Sequence, residues 1–436
     1  MKAVIMAGGK GTRLSSVLKD LPKPMVPLAG KPLLEHQIEN LKENGITDII
    51  LVIGHLGDVI RKHFEDGRRF GVAITYYMEQ EPLGTAGALA CLKDELVQDF
   101  ILLFGDVYLD INFNKLVSFH EKKGGAATLY VHPNSHPYDS DLVVTDKDNR
   151  IVGWSYKNVE RQEDYRNLVN AGIYVFSPAI LAEIPVGVKT DLEKQVIVPN
   201  LKKYPIYAYC CSEYVKDIGT PDRLKNVERD YINGVCGQKN LKNRQKCIFL
   251  DRDGTINRYV GFLKDHTQME LLDHAAEALR MINESEYLAI VVSNQPVIAR
   301  GDCSFEELER IHNRMYTLLG KSGAYIDGLY FCPHHPDQGF AGEVKELKMK
   351  CHCRKPDIGM IEQAAKDFNI DLAGSWMIGD MTIDIQTGIN AGLRTMLVQT
   401  GVAGEDQKYS VQADFVQTDL LQCVRTILDM ECRKEG

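Results

Sequence analysis

Residues 247–257, Cys-Ile-Phe-Leu-Asp-Arg-Asp-Gly-Thr-Ile-Asn, constrain this chain more than any other stretch. Ile248, Phe249 and Leu250 form a short apolar run that stops at Asp251, Asp253 and Gly254, the pattern of a buried strand opening into a tight loop. Such a run leaves its last carboxylates at the carboxyl edge of a parallel sheet, where open α/β folds place their active sites. A strand and an Asp-Gly turn alone would also read as D-x-D-G, but Thr255 and the partners downstream argue for chemistry. The stretch also divides the chain. The residues before it read as one finished α/β enzyme, and those after it as a second.

The run Asp251-Arg252-Asp253-Gly254-Thr255 resembles the first motif of the haloacid dehalogenase phosphatases. The resemblance implies that Asp251 attacks phosphorus to give an aspartyl-phosphate, and that Asp253 protonates the leaving oxygen and then deprotonates water. It is sustained downstream. Leu288–Gln295 is a strand ending in Ser293, whose hydroxyl would bind the transferring phosphoryl with Asn294 beside it. In Arg354-Lys355-Pro356, Lys355 would stabilise the charge on phosphate and nucleophile. In Trp376–Gly392, Asp380 would hold magnesium together with Asp251 and Asp253, and Asp384 would support it.

Between the second and third motifs, Cys332-Pro333-His334 and Cys351-His352-Cys353 supply three thiolates and an imidazole, the donor set of a closed structural zinc site. His335 and His352 stand as alternatives to His334. The intervening loop has little apolar material with which to fold unaided. Cys-Pro-His-His-Pro-Asp within this motif order resembles a narrow branch holding D-glycero-D-manno-heptose 1,7-bisphosphate phosphatases and histidinol-phosphate phosphatases. Ser293–Gly301 is similar to the heptose enzymes' segment, departing at Pro296 and Val297, and implies that Arg300 and Arg354 bind substrate.

At the other end, Lys2–Ala7 is a β-type run leading into Gly8-Gly9-Lys10-Gly11-Thr12-Arg13. A glycine-rich loop after a strand lets backbone N–H groups approach phosphates, and Arg13 adds charge. Lys23 lies between Pro22 and Pro24 in a rigid segment, and Leu33, Leu34, Ile38 and Leu41 follow at helical spacing. The glycine-rich run followed by Pro-Lys-Pro-Met closely resembles sugar-1-phosphate nucleotidylyltransferases. The resemblance implies that Ala7, Gly8, Gly9, Gly11, Thr12 and Arg13 hold the triphosphate, and that Lys23 neutralises the phosphate under attack. It further assigns Glu79, Gly84 and Thr85 to the nucleotide, Asp106 and Asp217 to magnesium, and Asn170, Gly172, Glu193 and Lys157 to the sugar phosphate. One departure stands out. Tyr156 occupies a position where many relatives keep a sugar-binding Glu.

These readings predict two Rossmann-like α/β domains with mainly parallel sheets: a nucleotidylyltransferase over 1–233, a linker over 234–246, and a phosphatase with a zinc loop over 247–436. At 436 residues and 44% apolar, the chain is long enough for two cores. Its net charge of −9 argues against a nucleic-acid partner, though not against nucleoside triphosphates or sugar phosphates held by a few cations and magnesium. The apolar run before Gly8 is too short for a signal core or a membrane span, so the expectation is a cytoplasmic enzyme, compatible with a homo-oligomer.

The pairing suggests a sequence of reactions: a heptose bisphosphatase yields a sugar 1-phosphate, and a nucleotidylyltransferase consumes one. GTP is the expected donor, because a carboxylate at Glu79 can accept both N1–H and the N2 amino group of guanine. The rivals are another nucleoside triphosphate, a histidinol-phosphate-type phosphatase, and a non-catalytic regulatory module. The presence of Arg13, Lys23, Asp106 and Asp217 tells against the last.

Overall fold

The computed structural model describes residues 1–9, 21–161 and 163–433. The chain forms two compact units: 1–132 with 141–156 and 168–240, and 133–140 with 157–167 and 241–436. No helix among the described residues is long and apolar enough to cross a membrane.

In the first unit the strand Lys2–Met6 lies parallel between Asp48–Ile53 and Phe100–Phe104, and Ala73–Met78 extends the parallel block beyond Asp48–Ile53. The first three are apolar on successive residues because both faces of the sheet are covered there, whereas Ala73–Met78 carries Thr75 and is partly exposed. Ala3, Val4 and Ile5 are fully buried, as are Ile101, Leu102 and Leu103. The sheet then turns antiparallel, with Val169–Phe176 against Phe100–Phe104 and Ala127–His132 against Val169–Phe176. A separate two-stranded ladder pairs Val107–Asp110 with Tyr214–Asp217. The helix Leu33–Glu43 buries Leu33, Leu34, Ile38 and Leu41, the four positions whose spacing predicts it.

All strands of the parallel block point the same way, so their carboxyl ends share one edge. Ala7, Gly54, Glu79 and Asp106 follow those ends, with Ala7 N–H bonded to Val52 O at 2.8 Å and Glu79 N–H to Ile53 O at 2.8 Å.

The polar stretch after the helix Pro221–Ile232 is ordered. Its short helix Val235–Gln238 buries Cys236 in a cluster with Tyr108 and Tyr214, and Asn240 Nδ2 donates to Asp110 Oδ1 at 2.6 Å.

The second unit is built on a six-stranded, all-parallel sheet. Its order is Gly328–Cys332, Tyr287–Asn294, Lys246–Leu250, Trp376–Gly379, Arg394–Val398 and Phe415–Gln417. Lys246–Leu250, the earliest strand in sequence, runs between Tyr287–Asn294 and Trp376–Gly379. The strand order therefore switches direction there, which opens a crevice at the carboxyl ends. Asp251, Ser293 and Asp380 arrive at that crevice from three adjacent strands. The helix Phe305–Lys321 is capped by Ser304, which accepts Glu307 N–H at 3.1 Å, and buries Leu308, Ile311, Met315 and Leu319.

Candidate active sites

In the second unit the carboxylates of Asp251, Asp380 and Asp384 converge, with one oxygen of each within 4.8 Å of the others. All three are buried, and Lys355 lies among them, its Nζ 2.5 Å from Asp251 Oδ1 and 2.6 Å from Asp384 Oδ1. Burial works against the ammonium of Lys355, but the two carboxylates outweigh it and push its pKa up. Burial raises Asp251 to about 7 despite Lys355. Burial, with Asp251 and Asp384 nearby, raises Asp380 to about 8. Asp380 Oδ2 accepts Val402 N–H at 2.7 Å, while its Oδ1 is buried with no partner among the described residues. Three buried acid groups against one cation, with an orphaned oxygen, fit a hard divalent cation held by oxygen ligands.

The tight turn has a steric reason. Gly254 has φ +89°, and a Cβ there would run into the Asp380 carboxylate. Only glycine lets the loop pass so close to that acid.

Asp253, expected beside Asp251 on the metal, points its carboxylate elsewhere. Arg252, fully buried, donates to it at 2.7 Å from Nη2, Gln295 Nε2 donates at 3.0 Å, and Asn257 Nδ2 at 2.9 Å. Burial works to raise Asp253, but the Arg252 guanidinium beside it outweighs this and holds the carboxyl below its ordinary range. The same Gln295 Nε2 reaches Ser293 Oγ at 2.7 Å, so Asp253 and Ser293 share one orienting amide. Asn294, expected to face substrate, instead spends both ends of its amide on the backbone of Lys355. Gln295 and Arg252 escaped the sequence reading. Their only signal was adjacency to the motifs.

The Cys/His cluster also closes. Cys332, Cys351 and Cys353 stand 3.3–3.5 Å apart through sulfur, and His334 Nδ1 is 3.3 Å from Cys353 Sγ and 3.6 Å from Cys332 Sγ. These edges fall a little inside the ~3.8 Å expected when four ligands stand about 2.3 Å from a tetrahedral centre. The alternative histidines are otherwise engaged: His335 Nδ1 accepts Asp337 N–H at 3.1 Å, and His352 Nε2 lies 2.6 Å from Glu362. The cluster could hold one tetrahedral metal ion.

In the first unit, Gly11, Thr12 and Arg13 lie outside the described residues. Gly8 faces Glu79, whose Oε2 would lie 2.6 Å from a Cβ on Gly8, so the loop and the carboxylate meet only because residue 8 has no side chain. Glu79 Oε1 accepts Leu83 N–H at 3.1 Å, which fixes the carboxylate plane, and burial raises its pKa. Gly84, at φ +81°, pairs with Thr190, and Thr85 Oγ1 accepts Leu192 N–H at 2.8 Å. The loop expected to read the base is thereby tied to the segment carrying Glu193.

Lys23 is buried, and its Nζ donates to Asp106 Oδ2 at 2.7 Å. The antiparallel register sets Asp217 opposite Val107, and Ile218 N–H bonds Asp106 O at 3.3 Å, so the two expected metal carboxylates come from neighbouring backbone positions. Asp217 currently pairs with Arg223.

Glu193 sits in a π-helical turn, Leu192–Ile197. Its Oε1 accepts Tyr174 O–H at 2.6 Å and Asn170 Nδ2 at 3.4 Å, and burial raises its pKa. Gly172 has φ +73° and lies against Phe104, at the bulge between Asn170 and Tyr174. Lys157 is exposed and belongs to the segment 157–167, which groups with the second unit.

Residues 2–234 match the nucleotidyl transferase family. The chain belongs to that family. Residues 352–423, covering the Lys355–Asp384 half of the acidic cluster, match the HAD-hydrolase-like family. The nucleotidyl transferase part is similar to probable mannose-1-phosphate guanylyltransferase 2 of Oryza sativa subsp. japonica, 37% identical over 243 residues, 54% of this chain and 64% of that protein. It is also similar to mannose-1-phosphate guanyltransferase beta-A of Xenopus laevis, 34% identical over 241 residues, 54% of this chain and 64% of that one. The chain thus spans just under two thirds of the length of these curated relatives. Among solved structures, HddC from Yersinia pseudotuberculosis aligns at TM-score 0.46 and 27% identity over 53% of this chain and 99% of that one. The D,D-heptose 1,7-bisphosphate phosphatase of B. bronchiseptica aligns at TM-score 0.38 and 31% identity over 43% of this chain and 99% of that one.

Proposed function

We propose that the chain is a bifunctional enzyme of nucleotide-activated heptose synthesis. The second unit would hydrolyse the 7-phosphate of D-glycero-D-manno-heptose 1,7-bisphosphate. The first would transfer a nucleotidyl group, GMP from GTP, to the resulting heptose 1-phosphate with release of pyrophosphate. The carrying observation is that one chain holds both a buried Asp251–Lys355–Asp380–Asp384 cluster and a glycine-rich sheet edge bearing Lys23, Glu79 and Asp106. The product of the first chemistry is the substrate of the second.

In the phosphatase reaction, an Asp251 oxygen bonds to phosphorus as the phosphorus–sugar oxygen bond breaks. Asp253 would pass a proton to the departing oxygen once the bound phosphate raises its carboxyl above the low range that Arg252 sets. The same carboxylate then takes a proton from the water that splits the aspartyl-phosphate. Lys355 balances charge on nucleophile and phosphoryl, and Ser293 positions a phosphoryl oxygen. Magnesium would be held by Asp251 and Asp380, supported by Asp384, and would supply charge neutralisation. Zinc in the Cys332–His334–Cys351–Cys353 site would fold its loop.

In the transferase reaction, an oxygen of the sugar phosphate attacks the α-phosphate and pyrophosphate departs. Arg13 and Lys23 would stabilise that charge, with magnesium on Asp106 and Asp217. Glu79 supports guanine as the base, and the curated relatives named guanylyltransferases point the same way. The same reading makes it a cytoplasmic enzyme, working where its triphosphate is found.

The test is separation of activities. Asp251→Asn should abolish phosphate release and spare pyrophosphate release, and Asp106→Ala should do the reverse. A panel of triphosphates crossed with sugar 1-phosphates should select GTP with heptose 1-phosphate by at least tenfold, the worth of one or two charged hydrogen bonds at about 1.5–3 kcal/mol each. Equal use of UTP, CTP or dTTP would overturn the guanylyl assignment.

A further inference from the structure

Arg252 is fully buried, and its guanidinium is divided between two sides. One edge meets Asp253: Nη2 donates to Oδ2 at 2.7 Å and Nε to Oδ1 at 3.2 Å. The remaining nitrogen, Nη1, lies 3.2 Å from His312 Nε2, its only acceptor among the described residues. A guanidinium donates and cannot accept, so His312 Nε2 carries the lone pair, and the imidazole is neutral with its proton on Nδ1.

His312 is brought there by the helix Phe305–Lys321, where it is 7% exposed and packs against the Phe331 ring, centroids 5.6 Å apart. Burial favours the neutral imidazole, and the charges of Arg252 and Arg166 reinforce it against the opposing carboxylate of Asp253. The helix is itself braced close by. Arg314 pairs with Asp164 at 3.4 Å, and Thr317 Oγ1 accepts Tyr165 N–H at 3.0 Å.

An arginine presents its donors in a rigid planar fork, so an acceptor that fixes Nη1 also fixes the direction of Nε and Nη2. The carboxyl they hold must lie within hydrogen-bond reach of the oxygen to which it passes a proton. Asp253 is therefore aimed from a separate element, through a cation that touches no substrate.

We propose that His312 is a positioning residue for phosphate-ester hydrolysis: by accepting from Arg252 Nη1, it holds the guanidinium that aims Asp253 at the departing oxygen. This rests on the phosphatase reading above and adds to it a residue outside the motifs that carry that reading. The step served is the one in which the phosphorus–oxygen bond breaks while a proton passes from Asp253 to the sugar oxygen. The carboxylate left behind later takes a proton from water.

The experiment compares two leaving groups, in the zinc-loaded full-length protein with magnesium, through kcat/KM, which reports formation of the aspartyl-phosphate. 4-Nitrophenyl phosphate expels a stabilised phenolate that needs little help from an acid. The alkoxide of heptose 1,7-bisphosphate, or of fructose 1,6-bisphosphate should the heptose not be accepted, needs a proton as it leaves. His312→Met removes the acceptor at similar volume. It should lower kcat/KM for the sugar phosphate at least tenfold, mainly through kcat, and leave that for 4-nitrophenyl phosphate within threefold. His312→Gln, which returns an acceptor oxygen near the position of Nε2, should bring the sugar phosphate back to within threefold of wild type. If His312→Met does not fold, His312→Phe keeps a ring against Phe331 without the acceptor and must show the same split. A role in packing alone would depress both esters together, or leave His312→Gln no better than His312→Met, and either result would overturn the proposal. A wild type that hydrolyses neither ester would overturn the phosphatase reading itself, whereas an unsplit response in active enzyme would overturn only the role of His312.

Discussion

Asn294 grips the backbone of Lys355 from both sides: its Nδ2 donates to Lys355 O at 3.1 Å, and its Oδ1 accepts Lys355 N–H at 3.0 Å. The amide of one motif thus fixes the backbone that carries the Lys355 ammonium of another. Asn294→Ala removes both bonds, each worth about 1 kcal/mol. Phosphatase kcat should fall about 10- to 30-fold with little change in KM, and pyrophosphate release should be unaffected. A change confined to KM would instead mean that Asn294 touches substrate.

Tyr174 and Glu193 offer the matching test in the first unit. Tyr174→Phe deletes the O–H that donates to Glu193 at 2.6 Å, while the ring and its stacking on Phe176 remain. KM for the sugar 1-phosphate should rise about 10-fold or more, as expected for losing a hydrogen bond to a charged group. KM for the triphosphate should stay within twofold. Steady-state kinetics with each substrate varied in turn checks this.

Magnesium should contribute more to stability as pH rises. Asp251 and Asp380 are raised to about 7 and about 8, above the ordinary carboxyl value of about 4. Raised carboxyls bind more protons in the folded state, so their contribution is full below about pH 4 and is lost as pH climbs through about 7 to 8. Asp253 is lowered, so its contribution is lost only as pH falls below the ordinary carboxyl range. Lys355 is raised, and its contribution is lost only at strongly alkaline pH. Between pH 5 and 8 the raised pair therefore dominates within this cluster. The Tm gain from saturating magnesium should widen across that window, since the lowered His120 and His312 act in the opposite sense but alike in both buffers. Near pH 6.5, calorimetry in two buffers of different ionisation enthalpy should show protons released on magnesium binding.

The Cys332, His334, Cys351 and Cys353 cluster should carry one zinc per chain by elemental analysis. Cys351→Ser, or prolonged chelation followed by assay with magnesium restored, should lower Tm by several degrees and depress phosphatase activity, leaving the transferase near wild type. Full phosphatase activity in a folded, zinc-free protein supplied with magnesium would rule out a structural metal.

The sequence by itself pointed to two α/β enzymes in tandem and to the acids expected to react in them, although 133–140 and 157–167 group with the second unit. Asp251, Ser293 and Asp106 each follow an apolar run, and parallel strands must deliver such ends to one edge. Glycine positions such as Gly8 and Gly254 were legible for the same local reason. Partnership was not legible, because it depends on loops brought together from distant parts of the chain. Tertiary structure chose His334 over His335 and His352, since only its Nδ1 faces the three sulfurs. It turned Asp253 toward Arg252 and Gln295. It also brought the Phe262 and Phe340 rings to 4.0 and 4.7 Å from the Arg300 central carbon. A strand's end follows from local periodicity. A side chain's partner is settled by which competing donors, acceptors and rings the folded core leaves within reach.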